Sequence, residues 1–466
     1  MKAVLVGIHL PGVEEKEFLS SLAELHRLVE TLGFEVVGKV TQRRRSPSPA
    51  TAIGEGKLQE LALWTGGAGV VPSHQAKVSK ATARQMEAEE PEESETDSLT
   101  EEANEDLNEP DSEFLTGDTT APGIVADKVI FDQELTPNQL ANLQQATGAE
   151  VLDRTGVIIE IFHRHAKTQE AKLQVEIARL RYLSPRLRAT GPSERQGGGI
   201  GSKGVGETSH ELNRRRIRDR IAELQTELDG LHSSHKNRRQ RRRDLCRVAL
   251  VGYTNAGKSS LMRALTGSAV LVENKLFATL DTTVRTLQPE MFPKVLVSDT
   301  VGFIQKLPHD LVASFRSTLD EAGEASLILY VVDASDPDFR SHLKVTHTVM
   351  AEIESADIPS LLILNKSDLV DPVSMKLLRR EFPESLVVSA HNLDDVARLK
   401  RVLREQISRN MESLSVFVRY DDKSGLIGEI RRNTAVIDEK HDELGVRFLV
   451  RSYPEVIERL KKRIDP

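Results

Sequence analysis

The chain contains little of what stabilises small secreted proteins or anchors a protein in a membrane. Cys246 is the only cysteine in 466 residues, so no disulfide can form within the chain. Aromatic residues make up only 4% of the chain, and no apolar run approaches the ~20 residues of a membrane span. The apolar residues 3–8 are too few for a signal sequence and are soon followed by Pro11. We predict a cytoplasmic, multidomain protein, and nothing in the sequence indicates association with a membrane surface.

One segment lacks basic residues altogether. Residues 87–118 contain fifteen Asp and Glu and no Lys or Arg. The surrounding segment 72–125 has too few large apolar residues to bury a core, and we predict that it is a disordered insertion. Two interpretations remain open: an inert loop, or an autoinhibitory strip that mimics RNA. Without these fifteen acids the net charge of −8 becomes +7, as expected for a chain that binds RNA.

A complete phosphate-binding loop follows a short apolar run at residues 247–251. The eight residues fit the pattern G-x-x-x-x-G-K-[ST] and are Gly252, Tyr253, Thr254, Asn255, Ala256, Gly257, Lys258 and Ser259. The two glycines allow backbone N–H groups to surround a phosphate. Lys258 is predicted to contact the β- and γ-phosphates, and Ser259 to bind Mg²⁺. Residues 260–265 are predicted to continue as a helix, whose N-terminus favours an anion.

Three further motifs follow predicted buried strands, and together they indicate guanine nucleotides. They are Asp299-Thr300-Val301-Gly302, Asn365-Lys366-Ser367-Asp368 and Val388-Ser389-Ala390. Asp299 is predicted to hold Mg²⁺ through a water, and the Gly302 N–H to sense the γ-phosphate. The Asp368 carboxylate can accept both N–H groups of guanine, while the Ala390 N–H is placed for its O6 atom. The order of these motifs predicts a GTPase built on a mostly parallel sheet with helices on both faces.

The segment between the phosphate loop and Asp299 is expected to switch with the bound nucleotide. It contains Phe277, Ala278, Thr279, Leu280 and Asp281. We prefer Thr279 as the additional Mg²⁺ ligand and keep Thr283 as the alternative. The predicted catalytic residues are therefore Lys258, Thr279 and Gly302.

The residue after Gly302 predicts slow intrinsic hydrolysis. Signalling GTPases place a glutamine there to orient the attacking water, but this chain has Phe303. Hydrolysis should then depend on a group supplied from outside the domain. Asn255 suggests one source, a bound K⁺ ion. The alternative is an asparagine that only forms a hydrogen bond within its own loop.

Two amphipathic segments ahead of the phosphate loop predict an antiparallel helical hairpin. The apolar positions recur at helical spacing and are Leu173, Ile177, Leu180 and Leu187, then Ile217, Ile221, Leu224, Leu228 and Leu231. The turn at 184–206 is rich in glycine and flanked by basic residues, which favours RNA contact over a solvated helix face. The candidate RNA contacts are Gly197, Gly198, Gly199, Lys203, Arg214, Arg215 and Arg216.

These segments together resemble the HflX family of translation-factor-related GTPases. The resemblance rests on Val151–Gly156, Lys172–Leu183, Gly197–Glu207 with the three arginines, and the phosphate loop with Phe277–Asp281. Thr282 departs from the proline common in the family. The resemblance covers about 1–66 and 126–466, so the segment 72–125 is a second departure.

The resemblance also implies a domain organisation and a function. The implied domains are an α/β subdomain (1–150), a hairpin (151–244), a GTPase domain (245–410) and a small α+β domain (411–466). The implied function is that of a monomer that binds the large ribosomal subunit and its RNA, rather than DNA, and splits stalled or idle ribosomes under stress. The competing hypothesis is a signalling switch that acts on a protein partner through the hairpin.

Overall fold

The computed structural model describes most of the chain, with gaps between the described ranges. These ranges are 1–71, 125–187, 209–240, 245–268, 276–277, 283–289, 293–306, 322–352, 358–409, 411–421 and 425–464. Several predictions fall outside them: the acidic segment, Gly197 to Gly199, Lys203, and Ala278 to Asp281. The chain divides into two compact units, Met1–Val157 with Pro185–Gly204 and Ile158–Ser184 with Val205–Pro466. This division differs from the four domains predicted from the sequence.

The first unit is built on a parallel four-stranded sheet of order β2-β1-β3-β4. Its strands are β1 (Lys2–His9), β2 (Glu35–Arg43), β3 (Lys128–Phe131) and β4 (Glu150–Asp153). Its helices are α1 (Glu15–Thr31), α2 (Glu55–Thr65) and α3 (Pro137–Thr147), and α4 (Arg154–His165) begins in this unit. Strand β1 is buried over its whole central part, because a parallel sheet is covered on both faces. Helix α3 begins at a capping box between Thr136 and Gln139.

A buried ionic cluster lies at the carboxyl edge of this sheet. Arg154 is 2% exposed and donates to Asp132 Oδ1 at 2.7 Å. It also pairs with the buried carboxylate of Glu24. The two carboxylates accept hydrogen bonds from the guanidinium and oppose its charge, which offsets the cost of burying these ionised groups.

Two long helices form the predicted hairpin. They are α5 (Gln169–Arg186) and α6 (Ser209–Gln240). Gln169 bonds to Glu227, and Glu176 pairs with Arg220. From Gln169 to Glu176 the residue number rises along α5, while the partner's number falls from 227 to 220 along α6. The helices are therefore antiparallel, as predicted. The apolar seam is small and consists of Leu173, Ile177 and Leu224, with Leu180, Ile221, Leu228 and Leu231 packed against it.

The GTPase domain contains a six-stranded sheet of order β10-β9-β8-β5-β7-β6. The strands are β5 (Cys246–Gly252), β6 (Thr283–Thr286), β7 (Val295–Asp299), β8 (Leu327–Asp333), β9 (Ser360–Asn365) and β10 (Leu386–Val387). All pairings are parallel except that of β6 with β7. The helices are α7 (Lys258–Thr266), α8 (Phe339–Ala351), α9 (Pro372–Glu381) and α10 (Leu393–Arg409).

Helices cover both faces of this sheet, as the sequence predicted. Leu261 of α7 and Leu399 of α10 belong to one apolar cluster. Phe339 of α8 and Leu378 of α9 belong to another. The carboxyl ends of the parallel strands meet at one edge, where open α/β sheets bind their ligands.

The C-terminal residues form a small antiparallel sheet of order β11-β13-β12. The elements are β11 (Glu412–Arg419), α11 (Leu426–Asn433), β12 (Ala435–His441), β13 (Gly445–Ser452) and α12 (Pro454–Ile464). In the chain, α11 and β12 lie between β11 and β13. The core joins one face of the sheet to both helices. None of the described helices is long and apolar enough to cross a membrane.

Candidate nucleotide-binding site

The phosphate loop runs from the end of β5 into α7, and two of its glycines are required by close contacts. A Cβ on Gly252 would lie 2.1 Å from the carbonyl oxygen of Val331 in the neighbouring strand. Gly257 has φ of +89° and lies against the Asn365 side chain, 2.2 Å from where its Cβ would be. The loop can therefore follow this path only with glycine at both positions.

Lys258 is buried in the centre of the loop. Its Nζ atom donates to the carbonyl oxygens of Gly252 at 2.9 Å and Tyr253 at 2.8 Å. Burial lowers the pKa of Lys258 from 10.5 to about 8, and the charge of Asp299 opposes this shift only in part. A phosphate oxygen in the loop would compete with these two carbonyls for the ammonium group and would favour its charged form.

A hydroxyl and a carboxylate meet where the magnesium ion is predicted. Ser259 Oγ donates to Asp299 Oδ2 at 2.7 Å, and Asp299 is fully buried at the end of β7. Mg²⁺ prefers oxygen ligands and usually completes its shell with phosphate and water, so these residues fit it. Thr283 begins β6 opposite Asp299, whereas the preferred Thr279 lies outside the described residues.

The segment after Asp299 pairs with the phosphate loop through its backbone. Thr254 N donates to Phe303 O at 2.8 Å, and Phe303 N donates to Gly252 O at 3.1 Å. A Cβ on Gly302 would lie 2.8 Å from Thr254 Cα and 3.0 Å from Lys258 Nζ. Gly302 therefore lies directly beside Lys258. Thr300 and Val301 are also buried.

Phe303 and Tyr253 fix this segment in different ways. Phe303 is 2% exposed, so its ring is packed in the interior and has no atom that could orient a water. The Tyr253 hydroxyl accepts a hydrogen bond from Gln305 N at 2.7 Å. Its ring is stacked on His342, with centroids 3.8 Å apart. This role could not be predicted from the residue pattern, because the position of Tyr253 in the motif tolerates any residue.

The guanine-recognition motif is tied to the phosphate loop. Asn365 Nδ2 donates to Ala256 O at 2.9 Å, and Asn365 Oδ1 accepts from Ala390 N at 3.3 Å. Asp368 is exposed at a 3₁₀ turn that begins at Ser367. One side chain therefore joins three of the predicted motifs.

Two acidic residues not predicted as part of the site support it. Asp333, at the end of β8, pairs with Lys366 at 2.7 Å. Asp395 accepts from Ser389 N at 2.9 Å, in the motif that also contains Val388. The signal for Asp333 was its position after a buried strand at the same sheet edge. Asp395 had no comparable signal.

Other predicted site residues differ in what the structure shows of them. Asn255 has φ of +60°, is exposed, and forms no side-chain hydrogen bond with another described residue. Phe277 has φ of +57°, and its ring packs edge-on against the Phe162 ring, with the two ring centroids 4.6 Å apart. Leu280 lies outside the described residues. Arg214 is half-buried on α6, and Arg215 and Arg216 are exposed there.

The phosphate loop, the buried Asp299 and the guanine motif at one sheet edge define a P-loop GTPase. Residues 247–366 match the family described as 50S ribosome-binding GTPase. Residues 165–242 match the GTP-binding GTPase middle region, and residues 19–87 with 107–163 match the GTP-binding GTPase N-terminal family.

Similarity to whole proteins identifies the family more closely. The chain is 53% identical over 463 residues to GTPase HflX of Gluconacetobacter diazotrophicus, covering 99% of this chain and 97% of that protein. It is 36% identical over 468 residues to GTPase HflX of Alkalihalophilus pseudofirmus, covering 99% and 96%. It is 35% identical over 412 residues to GTPase HflX of Escherichia coli K12, covering 87% and 83%. The chain therefore belongs to the HflX family of GTPases, which confirms the predicted resemblance.

Proposed function

We propose that this GTPase binds the large ribosomal subunit through its helical hairpin and splits stalled or idle ribosomes under stress. The observation that carries the proposal is a basic hairpin followed in the chain by a phosphate loop in which Lys258 is buried and Ser259 contacts Asp299. Among the described residues, the hairpin seam contains three buried apolar side chains, while Arg215 and Arg216 are exposed on α6. Exposed arginines beside a glycine-rich connection suit RNA, whose recognition relies on shape and on phosphate contacts. The family description of residues 247–366 as a 50S ribosome-binding GTPase agrees with this partner.

The chemistry proposed for the site follows from its side chains. Bound Mg²⁺ supplies positive charge to the β- and γ-phosphate oxygens and would be held by Ser259, Asp299 and Thr279. Lys258 adds a second positive charge from the loop, and Gly302 brings a backbone N–H next to the γ-phosphate. The buried Phe303 ring cannot orient water, so the missing catalytic group must come from the ribosomal subunit or from K⁺ at Asn255.

The first test is GTP hydrolysis with and without purified large ribosomal subunits, in matched sodium and potassium buffers. We expect the subunits to stimulate hydrolysis roughly tenfold or more, as external groups do in GTPases that lack a complete catalytic set. Stimulation by potassium alone would support only the role of Asn255. An unchanged rate in all four conditions would refute the ribosome proposal and favour the signalling switch with a protein partner.

The second test separates the hairpin from the GTP site. Replacing Gly197 to Gly199 with bulky residues should abolish ribosome splitting, measured by sucrose-gradient sedimentation, and leave GTP affinity unchanged. Leu63→Ala, at a position 77% exposed on α2, is the control and should retain both activities. A loss of GTP affinity in the glycine variant would contradict this division of labour.

A further inference from the structure

The C-terminal sheet has a face that α11 and α12 do not cover. Val416 and Phe448 point to the core formed with α11 and α12. The alternate residues of the same strands therefore lie on the opposite side. We call this side the outer face and define it by Phe417, Arg419, Lys440, Arg447, Leu449 and Arg451. Phe417 is paired with Arg447, which is in turn paired with Lys440, so these three form one row across all three strands.

Exposed apolar side chains are concentrated in this small domain. Among the described residues, nineteen large hydrophobic side chains are exposed, and six of them lie between residues 411 and 464. Phe417 and Tyr420 are the only aromatic residues in that set, and both belong to β11 or the residue that follows it. Tyr420 falls by strand alternation on the side of Val418, where its hydroxyl lies 2.7 Å from His441 Nδ1, so Phe417 is the exposed aromatic ring of the outer face among the described residues. In a chain with 4% aromatic residues, an exposed phenylalanine beside exposed cations indicates a binding surface.

The Phe417 ring lies along the sheet instead of standing away from it. A Cβ on Gly445 would be 2.9 Å from Phe417 Cζ, so the ring passes over this glycine on the neighbouring strand. The Arg447 guanidinium is 6.0 Å from the ring centroid. The tip of the ring lies against Gly445 while 39% of the residue is exposed, so part of the ring is accessible to a planar partner.

The charges around the ring favour a polyanion. The outer face contains three exposed basic side chains, Arg419, Lys440 and Arg447. A fourth, Arg451, is half-buried and donates to the carbonyl oxygen of Ser408 at 3.0 Å. Two acidic residues accompany them: Asp421 lies 3.3 Å from Arg419, and Asp438 lies 3.4 Å from Lys440. All four members of these pairs are at least half exposed, and exposed ion pairs contribute little. The cations can therefore exchange these partners for phosphate.

We propose that the outer face of the C-terminal sheet binds single-stranded RNA, with one base stacked on Phe417 and the flanking phosphates on Arg447, Lys440 and Arg419. An exposed ring and nearby cations fit an unpaired base, because bases within a helix do not offer their faces to a protein side chain. The charge of the face favours RNA over an apolar protein helix. This RNA contact is separate from the hairpin and does not depend on ribosome splitting.

The proposal is tested in the full chain with a fluorescein-labelled single-stranded RNA of about 12 nucleotides, within the length that such surfaces cover. Phe417→Ala should weaken binding about tenfold, and Phe417→Trp should retain it, because either aromatic ring can stack on a base. The double variant Arg447→Ala/Lys440→Ala should reduce the slope of log affinity against log salt by about 1.4 for two phosphate contacts. It leaves the Phe417 ring in place, so the result does not depend on whether Phe417→Ala folds normally.

The matched control carries the same loss of charge on the opposite side of the domain. Lys461→Ala/Lys462→Ala removes two exposed cations from α12 and should leave RNA affinity and the salt slope unchanged. Photocrosslinking of RNA that contains 4-thiouridine, followed by peptide mapping, should mark the β11 segment around Phe417. Crosslinks confined to residues 188–240, or equal salt slopes in the two double variants, would overturn the proposal. If Phe417→Ala and Arg447→Ala/Lys440→Ala lose binding to the ribosomal subunit but keep their affinity for RNA, the RNA proposal is overturned as well. That result would indicate a protein partner for the outer face.

Discussion

The titration of Lys258 should make GTP affinity depend on pH in a way set by one buried side chain. Burial lowers the pKa of this lysine to about 8, whereas a bound triphosphate would raise it by favouring the charged form. Below pH 8 the ammonium is already protonated, and its titration has no effect on binding. Above pH 8 binding must take up a proton, so affinity should fall about tenfold per pH unit, or about 1.4 kcal/mol. Between pH 7 and pH 9 we expect a loss of about tenfold.

The assay is a fluorescence titration with a non-hydrolysable GTP analogue at constant ionic strength and saturating Mg²⁺. Guanine itself loses a proton at high pH, so the wild type must be compared with two variants. Lys258→Arg keeps its charge at every pH used, and Lys258→Met has none to lose. Both variants will bind more weakly, but neither should show the additional slope above pH 8. If the wild type and both variants have the same pH dependence, the lowered pKa of Lys258 does not govern binding.

Three further substitutions test contacts described above. Tyr253→Phe removes the acceptor for Gln305 N–H and should lower the free energy of unfolding, measured in urea titrations, by about 1 kcal/mol. Tyr330→Phe is the control. If both variants lose the same free energy of unfolding, the Gln305 hydrogen bond is not responsible for the loss. Gly302→Ala places a Cβ 2.8 Å from Thr254 Cα, so GTP hydrolysis should fall roughly tenfold or more with GDP affinity nearly unchanged. Gly428→Ala, whose Cβ would meet only Arg432 at 3.7 Å, is the matched control, and a normal hydrolysis rate in Gly302→Ala would contradict the close approach. Arg154→Ala leaves the buried carboxylates of Glu24 and Asp132 without their shared cation and should cost about 3–5 kcal/mol of stability. Restoration of much of this loss by adding Glu24→Gln and Asp132→Asn would identify the unpaired charges as the cause.

The motif residues were predictable because phosphate and guanine chemistry fixes residue types at set positions on a sheet. Gly252, Asp299 and Asn365 end β5, β7 and β9 at one edge, where the order of motifs had placed them. The motif Val388-Ser389-Ala390 was predicted to follow a buried strand, and that strand, β10, contains only Leu386–Val387. After Val388 the backbone N–H groups turn away from the ladder toward side chains of Asp395 and Asn365. An apolar run cannot reveal that change of partner.

Contacts through the backbone or between distant residues were not predictable. The pairing of Thr254 with Phe303 uses main-chain atoms, which leave no mark on residue type. In the hairpin, Leu187 fits the helical spacing but is 39% exposed, because α5 ends at Arg186 and the next residue leaves the helix. The hydrophobic period identifies a face and does not determine where the helix ends.

The contact between Phe277 and Phe162 joins the segment predicted to switch with the nucleotide to α4, the helix that leads into the hairpin. Phe277 is 2% exposed in a left-handed backbone conformation, so it cannot change conformation without losing its place against Phe162. A ligand that moves one ring must therefore also disturb its contact with the other ring. We expect a coupling free energy between the binding of the nucleotide and the binding of the hairpin partner. If GTP raises the affinity of the protein for the hairpin partner by some factor, thermodynamic reciprocity requires that the partner raises the affinity for GTP by the same factor. Replacing Phe162 with alanine should bring that factor close to one in both directions, which two independent binding titrations can measure.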